Sequence, residues 1–470
     1  MVGKTFWLMG TAAAIALASA APMAQAAPAA GPAPVAAKPV VTPAPVATAQ
    51  TAPAPVPSAT PAVVATPAPP PIPLDTPLPV PIQHWSIGDA QALLQVIRTI
   101  DNEGLIPADY KPDVLEKALM GGEGLALDTA ASTSFAWLTE DMRDGRTPMK
   151  ARLQWFAFDK DRDVNPTDQV MARALESHDI AGTLIALDPT YPDYEVLRQT
   201  LADTPAKDVK TRAQIRANMD RWRWFSRDLG EFYLMTNVPE FQLRLVRRDK
   251  ILQTFRTIVG KPGKTATPQL AELVEGVIFN PTWTVPQSIV VGEGLGKKYG
   301  SVAAAKAAGY AMTKSADGTI TMVQQPGPAN SLGLVKLDMP NPHAIFLHDT
   351  PNRNLFNLPV RALSHGCVRT EGIRKLAIAL SIIGGGKTAD EAGAISDSRK
   401  YTRVVMDKRQ MPVYIGYFTM AQAIDGTIKP FVDIYGRDGA VIASFNAPRA
   451  AKTYQRMIDE KVEAIADPGV

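Results

Sequence analysis

Apolar residues recur at helical spacing through residues 84–229. The stretch SIGDAQALLQVIRTIDNEG begins with Ser86, a residue type that often caps the start of a helix, and ends at Gly104, which favours a stop. The same periodicity predicts further helices over 131–143, 168–177 and 209–228. We therefore predict a helical scaffold domain over 84–229.

The pattern changes at Glu231, where apolar and polar residues begin to alternate as they do in β-strands. The segments FYLMTNV, FQLRLVR and ILQTFRTIV follow one another, and further strand-like pieces lie at 274–279, 343–348, 402–406, 411–418 and 428–435. A helix-forming piece, SVAAAKAAGYAM, and a glycine-rich exit interrupt them over 282–326. The predicted fold class is therefore α+β, with a β-rich domain over 230–437 that carries an inserted capping subdomain. A helical tail is predicted over 438–470, with its helix at 448–466.

The N-terminus has the three parts of a secretory signal peptide over residues 1–26. Lys4 supplies a positive start, an apolar run extends from Phe6 to Ala18, and AQA at 24–26 is a small-residue cleavage site. The apolar run is shorter than the roughly 20 residues of a membrane span. We expect export to the periplasm, while an uncleaved membrane anchor stays open.

Residues 27–83 consist almost entirely of Ala, Pro, Val and Thr and hold 18 of the 41 prolines. Such a composition cannot build a core and favours extended, disordered chain. The segment is expected to be a linker, either a tether that lets the folded part search a cell wall or a passive spacer. Membrane contact is expected only through the signal or the tether, if the signal is not cleaved.

The charges of the chain nearly balance, with 49 Lys and Arg against 46 Asp and Glu. This balance gives no reason to expect a nucleic-acid partner. The arginine-rich helix that contains Trp222 and Trp224 could stack bases, but core packing beneath a charged surface explains the same composition.

Cys367 is the only cysteine of the chain, and it stands in the segment LSHGCVRT. A single cysteine in an exported protein indicates an intermolecular bond, a buried small side chain or a reactive thiol. His348 ends a predicted strand 19 residues earlier, and the loop between them can fold back so that its imidazole takes the thiol proton. Gly366 permits a sharp turn that would leave N–H groups near Cys367 to bind an oxyanion.

Metal binding is a rival interpretation, because His343, His348, His365 and Cys367 are all metal-ligand types. However, His343 and His348 lie five positions apart in an apparent strand and should face opposite sides. We therefore expect no metal and no other cofactor.

The segment HDTPNRNLFNLPVRALSHGCVRT resembles the signature of the L,D-transpeptidases, enzymes that remodel peptidoglycan. The segments RANMDRWRWFSRDLGEFYLMTNVPEFQLRLV, VIFNPTWTVPQSIV and VQQPGPANSLGLVKLDMPN resemble the large, scaffold-bearing Gram-negative branch of that family. Members of this branch often carry a small peptidoglycan-binding module before NMDRWRW, and no convincing segment for it is present here.

The resemblance implies a role for each matching position. Cys367 would be the nucleophile and His348 its base, oriented by a backbone carbonyl rather than by the side chain of Asp349. His365 and Gly366 would shape the nucleophile loop and its oxyanion site. The remaining candidates are Ser364 as a hydrogen-bonding residue of the loop, Arg369 as a ligand of a substrate carboxylate or a structural ion pair, and Trp283, Tyr310 and Phe346 as aromatic residues near the substrate.

The implied activity is the formation of 3→3 cross-links between peptidoglycan stem peptides through a Cys367 thioester, with release of the terminal D-alanine. Donor and acceptor stems would be the partners, and carbapenems would acylate the cysteine. Water or an amine of an outer-membrane protein could replace the second stem as acceptor. A catalytically silent wall scaffold is the alternative that is not an enzyme.

Overall fold

A computed structural model describes residues 71–423 and 425–458 of the chain. The predicted signal peptide at 1–26 and the predicted linker up to residue 70 lie outside these residues. Within the described part, no helix combines the length and the apolar character needed to cross a membrane.

The N-terminal part is helical. Helices α1 to α8 span Ile87–Thr99, Pro112–Met120, Leu125–Asp144, Asp161–Val164, Thr167–Ser177, Ile180–Ile185, Pro192–Asp203 and Val209–Trp222. Ser86 caps α1 as expected, because its side chain accepts the N–H of Asp89. Apolar residues of α1, α2, α3, α5 and α6 form a core of their own, whereas α7 and α8 share a second core with the sheet that follows.

The chain then enters the β-rich domain. Strands β1 to β5 span Phe232–Asn237, Gln242–Arg247, Lys250–Gly260, Leu270–Val274 and Gly276–Phe279. The first three form an antiparallel meander, as the alternating pattern predicted.

An insertion interrupts the domain after β5. It contains β6 (Trp283–Thr284), α9 (Gln287–Gly292), α10 (Leu295–Tyr299), α11 (Val302–Ala307), β7 (Tyr310–Lys314) and β8 (Ile320–Gln324). Its three strands form a separate sheet, and five buried apolar residues give it a small core: Val285, Val290, Leu295, Ala305 and Met322. We call this insertion the cap.

The remaining elements complete the domain. They are β9 (Val335–Asp338), β10 (Leu347–His348), β11 (Ala362–Ser364), β12 (Val368–Thr370), α12 (Ile373–Ile383), α13 (Ala389–Asp397), β13 (Thr402–Val405), β14 (Met411–Gly416), β15 (Met420–Gln422), β16 (Ile428–Pro430) and α14 (Asp438–Phe445). The main sheet has the order β13-β5-β9-β10-β12-β3-β2-β1-β14-β4, and β11 pairs with β3. The predicted α+β class, helices first and a β-rich domain second, is confirmed.

The strand predicted for 343–348 is shorter than expected. Only Leu347–His348 pair in the sheet. Ala344 has a φ of +51°, and the side chain of Asn341 accepts the N–H groups of His343 and Ile345, so the chain turns before the strand begins.

The helix predicted for 448–466 is wrong over its described part, because α14 ends at Phe445 and residues 446–458 contain no helix. The backbone there is used for long-range pairing instead. Leu78 donates its N–H to the carbonyl of Lys452, and Tyr454 donates its N–H to the carbonyl of Thr76. The tail therefore pairs with residues 76–78, and the prediction of a disordered linker over 27–83 is wrong for this end of it.

One segment of the helical region joins the edge of the main sheet. Trp155 forms a parallel bridge with Gln269, immediately before β4. The N–H of Gln269 bonds to the carbonyl of Gln154 at 2.9 Å, and the N–H of Phe156 bonds to the carbonyl of Gln269 at 2.9 Å. We call residues 153–156 the scaffold strap.

Candidate active site

A row of three side chains crosses the centre of the main sheet. His348 on β10 pairs with Lys336 on β9 and with Arg369 on β12. Side chains alternate between the two faces of a strand, so all three lie on one face. The adjacent residues along these strands lie in the main core on the opposite face: Leu337, Leu347 and Val368.

Cys367 lies in the bend between β11 and β12 and is partly buried. It stands two residues before Arg369, so the register places it on the His348 face of the sheet, one step back along the neighbouring strand. Its Sγ lies 3.6 Å from the carbonyl oxygen of Ala344. The fold thus brings the predicted nucleophile and the predicted base to adjacent strands.

Ser364 closes the loop that carries Cys367. Its Oγ donates to the carbonyl of Cys367 at 2.6 Å and accepts the N–H of Gly366 at 3.1 Å. Gly366 has a φ of +119°, where residues with a side chain are strained, and a Cβ there would approach Ile345 to 3.0 Å. Among the amides that were expected to bind an oxyanion, that of Gly366 is therefore already engaged.

Thr267 supports the same loop, and nothing in the cysteine motif pointed to it. Its Oγ1 donates to the carbonyl of Gly366 at 2.7 Å and accepts the N–H of Gly260 at 2.9 Å. Tyr435 donates to the carbonyl of Gly260 at 2.6 Å and accepts the N–H of Thr267 at 3.2 Å. The loop is thus tied to the end of β3 and to a residue close to α14.

The ring of His348 is held in one tautomer. Its Nδ1 lies 2.6 Å from the backbone carbonyl of Asp349. Because a carbonyl can only accept, Nδ1 carries the proton and Nε2 keeps its lone pair. The orienting group is a backbone carbonyl, as the sequence analysis predicted.

Burial lowers the pKa of His348 to about 3, and the positive charges of Arg369 and Lys336 act in the same direction. The imidazole is therefore neutral across the physiological pH range. A neutral ring with a free Nε2 can accept a proton from a thiol.

The side chain of Asp349 points elsewhere, also as predicted. Its Oδ2 accepts the N–H of Leu334 at 3.0 Å and lies 3.4 Å from Arg353. A Cβ at Gly333 would lie only 2.4 Å from the side chain of Asp349, so this carboxylate is packed against a position where only glycine fits.

The cations around His348 have no acidic partner. Within the residues that the structure describes, no carboxylate lies within salt-bridge distance of Lys336, Arg369 or Lys261. Burial lowers the pKa of Arg369, and the nearby Cys367 acts in the opposite direction. The ammonium of Lys336 lies 3.6 Å from the ring centre of Phe346, a cation–π contact.

His365 precedes Gly366 in the nucleophile loop, and its side chain is largely exposed. Partial burial together with Lys261 and Arg369 lowers the pKa of His365, whereas Glu293 of the cap acts in the opposite direction. The two aromatic residues that were predicted near the substrate in this insertion lie in its own small core. Trp283 packs against that core from β6, and Tyr310 lies 5.1 Å from the ring of Tyr299.

His343 packs against an aromatic ring of the helical region, outside the row of His348. The rings of His343 and Phe156 lie 4.1 Å apart, and burial lowers the pKa of His343. In the described ranges, no group of three or more His, Cys, Asp or Glu side chains is arranged to hold a metal ion.

The scaffold strap reaches the nucleophile loop from two sides. Phe156 packs on His343, which precedes the Ala344 carbonyl beside Cys367. Gln154 accepts a hydrogen bond from Arg437, which also donates to the carbonyl of Thr267 at 3.0 Å. Neither contact could be read from the motif, because the strap lies more than a hundred residues before the loop.

Comparison with known proteins gives two family matches. Residues 231–406 match the L,D-transpeptidase catalytic domain (YkuD), and residues 84–201 match a Scaffold domain. A Haemophilus influenzae protein named "Putative L,D-transpeptidase" is 28% identical over 263 residues, which cover 51% of this chain and 52% of that protein. The chain therefore matches about half the length of this relative.

Solved structures are also similar over part of the chain. The L,D-transpeptidase from Mycobacterium smegmatis is 13% identical, covers 39% of this chain and 58% of its own, and has a TM-score of 0.21. A variant of the Enterococcus faecium L,D-transpeptidase is 12% identical, covers 40% of this chain and 50% of its own, and has a TM-score of 0.18. These scores add nothing to the family matches. The chain thus contains an L,D-transpeptidase catalytic domain that follows a Scaffold domain.

Proposed function

We propose that this protein forms 3→3 cross-links in peptidoglycan through a thioester on Cys367. The observation that supports the proposal is the pairing of β10 with β12, which brings the bend that carries Cys367 next to the strand of His348, a buried, neutral imidazole whose Nε2 keeps its lone pair. The family matches support the transpeptidase class, and the stem peptides as donor and acceptor are part of the proposal.

In the proposed acylation, Nε2 of His348 takes the thiol proton as Sγ attacks the carbonyl of the third residue of a tetrapeptide stem. The C–S bond forms and a tetrahedral intermediate results. When the C–N bond breaks, the imidazolium returns its proton to the leaving amine of D-alanine. The thioester then remains on Cys367.

In the second half, the side-chain amine of a diaminopimelate on another stem attacks the thioester. Its proton passes to His348, the C–S bond breaks, and the thiol is restored by that proton. Every group that these steps require is a side chain of this chain or of the substrate. Water in place of the amine would give a carboxypeptidase, and a protein amine would give a protein-to-wall transferase.

Action on peptidoglycan requires export, and the signal-like residues 1–26 support a periplasmic location. We propose that the part of the predicted linker before residue 71 tethers the folded part so that it can reach the wall. The end of that linker is part of the fold, because Leu78 and Gln83 bond to Lys452 and Ser132. If this part serves reach alone, a chain in which residues 1–26 are joined directly to Pro71 will keep its activity on soluble muropeptides, because residues 71–83 and their contacts are retained.

The test is incubation of the purified chain with disaccharide-tetrapeptides, followed by mass spectrometry of the products. We expect a dimer that has lost one D-alanine, and we expect none from Cys367→Ser, because a hydroxyl is far less acidic than a thiol. Cys367→Ser must keep the circular dichroism spectrum of the parent chain. Dimer formation by a folded Cys367→Ser variant would contradict the thioester, whereas tripeptide without dimer would identify the hydrolase.

The same thiolate should open a β-lactam ring, which presents a strained carbonyl. We propose a one-to-one adduct of a carbapenem on Cys367, observable by intact-mass spectrometry. Cys367→Ala is the matched control and should give no adduct. An adduct on that variant would assign the acylation to another residue.

A further inference from the structure

Two cations flank the proposed base, and neither is used by the chemistry described above. Lys336 and Arg369 pair with His348 from opposite sides in the sheet. Adjacent strands lie roughly 4.8 Å apart, so each cation starts about one strand spacing from His348. Both long side chains leave the sheet on the face that carries His348.

These charges are not part of an ion-pair network. In the described ranges, neither side chain lies within salt-bridge distance of a carboxylate, and neither donates a hydrogen bond to the protein. Elsewhere in the same domain the arginines have acceptors: Arg256 forms two hydrogen bonds to Glu371, Arg403 bonds to Asp338 at 2.6 Å, and the buried Arg361 donates to backbone carbonyls. Partly buried cations whose side chains have neither a carboxylate nor a hydrogen-bond acceptor in the protein are expected where an anionic ligand supplies both.

Lys336 is also held in position. Its ammonium rests on the ring of Phe346 at 3.6 Å, instead of extending freely into solvent. Phe346 lies just before β10 and packs partly against the main core, so the ring is a firm support. This explains Phe346 as the platform for Lys336 rather than as a direct substrate contact.

We infer that Lys336 and Arg369 together bind the terminal carboxylate of the leaving residue of the donor peptide. The inference rests on the proposed function. There, His348 returns a proton to the amine of the leaving residue, and the carboxylate of an α-amino acid is only two bonds from that amine nitrogen. A carboxylate so placed lies close to His348 and therefore within reach of both flanking cations.

The consequence is specificity for a donor whose leaving residue ends in a free carboxylate. An amide at the same place would leave both cations without an anionic partner, and sites that are built around a polar group discriminate strongly against an analogue that lacks it. Charge-assisted hydrogen bonds of this kind correspond to a preference of tenfold or more.

The test is binding to the full-length Cys367→Ala chain, so that turnover does not interfere. The probes are a disaccharide-tetrapeptide with a terminal carboxylate and the same molecule with a terminal carboxamide, measured by titration calorimetry. We expect the carboxylate probe to bind at least tenfold more tightly, and Lys336→Gln to remove most of that preference. Lys336→Arg should retain it.

The matched control is Lys375→Gln. Lys375 is exposed on α12, which packs on the core face of the sheet, so its removal changes the net charge equally without touching the row of His348. Equal affinity for the two probes, no binding of the carboxylate probe, or an equal loss for both probes in Lys336→Gln would each overturn the inference.

The inference and the proposed function can fail separately. If the chain with Cys367 intact releases no D-alanine while the Cys367→Ala chain still prefers the carboxylate, the carboxylate site stands and the transpeptidation proposal falls. If D-alanine from the carboxylate donor and D-alaninamide from the carboxamide donor are released at equal rates, the reverse holds.

Discussion

Arg449 and Arg221 at the scaffold interface and Lys336 and Arg369 in the active site are all partly or fully buried, but only the first two are paired with carboxylates. Arg449 of the tail contacts Asp141 and Glu140 at 2.7 Å each, and Arg221 of α8 contacts Asp438 at 2.6 Å. Around His348, Lys336 and Arg369 have no carboxylate within salt-bridge distance among the described residues.

The paired charges stabilise the folded protein, whereas the cations beside His348 are the ones that we propose bind an anionic ligand. A buried charge is costly unless it is paired or hydrogen-bonded, and the interface supplies its arginines with carboxylates, as for Arg449, or with backbone carbonyls, as for Arg152. An unpaired cation beside a buried histidine destabilises the fold slightly and disfavours protonation of the ring. Its retention at that position is therefore better explained by function than by stability.

Removing Arg449 should produce the largest change in stability. Asp141 and Glu140 are 0% and 3% exposed, so Arg449→Ala would leave two buried carboxylates without their main partner. We expect a loss of about 3–5 kcal/mol in the free energy of unfolding, measured by urea denaturation. Arg98→Ala is the control: Arg98 pairs with Glu116 at 2.9 Å, both side chains are 45% exposed, and about 0–1 kcal/mol is expected. If Arg449→Ala lowers the free energy of unfolding no more than Arg98→Ala does, the buried pairs of Arg449 are no more stabilising than an exposed pair.

The pH dependence of the reaction should show the effect of burial and of the site cations on His348. An imidazole with the ordinary pKa of 6.5 would be about one-tenth neutral at pH 5.5, whereas His348, with a pKa of about 3, stays neutral. The quantity to measure is kcat/KM for D-alanine release between pH 7 and 5.5. We expect it to show no decrease with a midpoint near pH 6.5, which is where an ordinary histidine titrates. A tenfold fall with that midpoint would show that the imidazole is protonated in the folded state.

The lowered pKa of His348 also makes the stability of the fold depend on pH. The folded pKa lies below the unfolded value, so the unfolded state binds the proton more readily between pH 6.5 and 3. The contribution of His348 to stability is complete above pH 6.5 and is lost as the pH falls toward 3.

Much of the fold could be predicted from short-range patterns in the sequence. The N-cap at Ser86, the strand meander from Phe232 and the cap between β5 and β9 were all visible as short-range periodicity. The tail was not, because residues 446–458 satisfy their polar groups through partners some 300 residues away, such as Arg449 with Asp141. A helical pattern cannot report a competing long-range contact.

The residues of the candidate site also fall into a local group and a long-range group. Cys367, Gly366 and Ser364 are neighbours in sequence, and their contacts are local. Thr267 and Lys336 come from strands or loops with no motif, and only the register of the sheet brings them to the loop and to His348. Residues that act through pairing of distant strands leave no signal in a single sequence.

Variants of the scaffold strap test whether the scaffold interface helps to position the active-site loop. Phe156→Ala would remove the ring that packs on His343 and loosen the turn whose Ala344 carbonyl lies 3.6 Å from Sγ of Cys367. We expect kcat to fall by roughly three- to tenfold with KM within about twofold, because a small misplacement of a reacting group is costly. The rate of Cys367 alkylation by iodoacetamide should change as well.

Phe158→Ala is the matched control for the strap, since Phe158 is 43% exposed and packs on Arg456. Phe156→Tyr should restore most of the activity. Equal effects at Phe156 and Phe158 would indicate general destabilisation and no positioning of the loop.

The smallest change in stability is expected at Lys336. Lys336→Gln breaks no ion pair among the described residues and removes a positive charge that lies in one row with Arg369, so the free energy of unfolding should change by no more than about 0.5 kcal/mol. Removing the charge reduces repulsion with Arg369, but it also removes the cation–π contact with Phe346. Because these two effects oppose each other, we expect almost no change in the free energy of unfolding. The pKa of His348, followed by NMR titration, should move upward, because Lys336 is one of the charges that lower it. A loss of stability comparable to that of Arg449→Ala would place Lys336 among the structural charges and would end the contrast between the two regions.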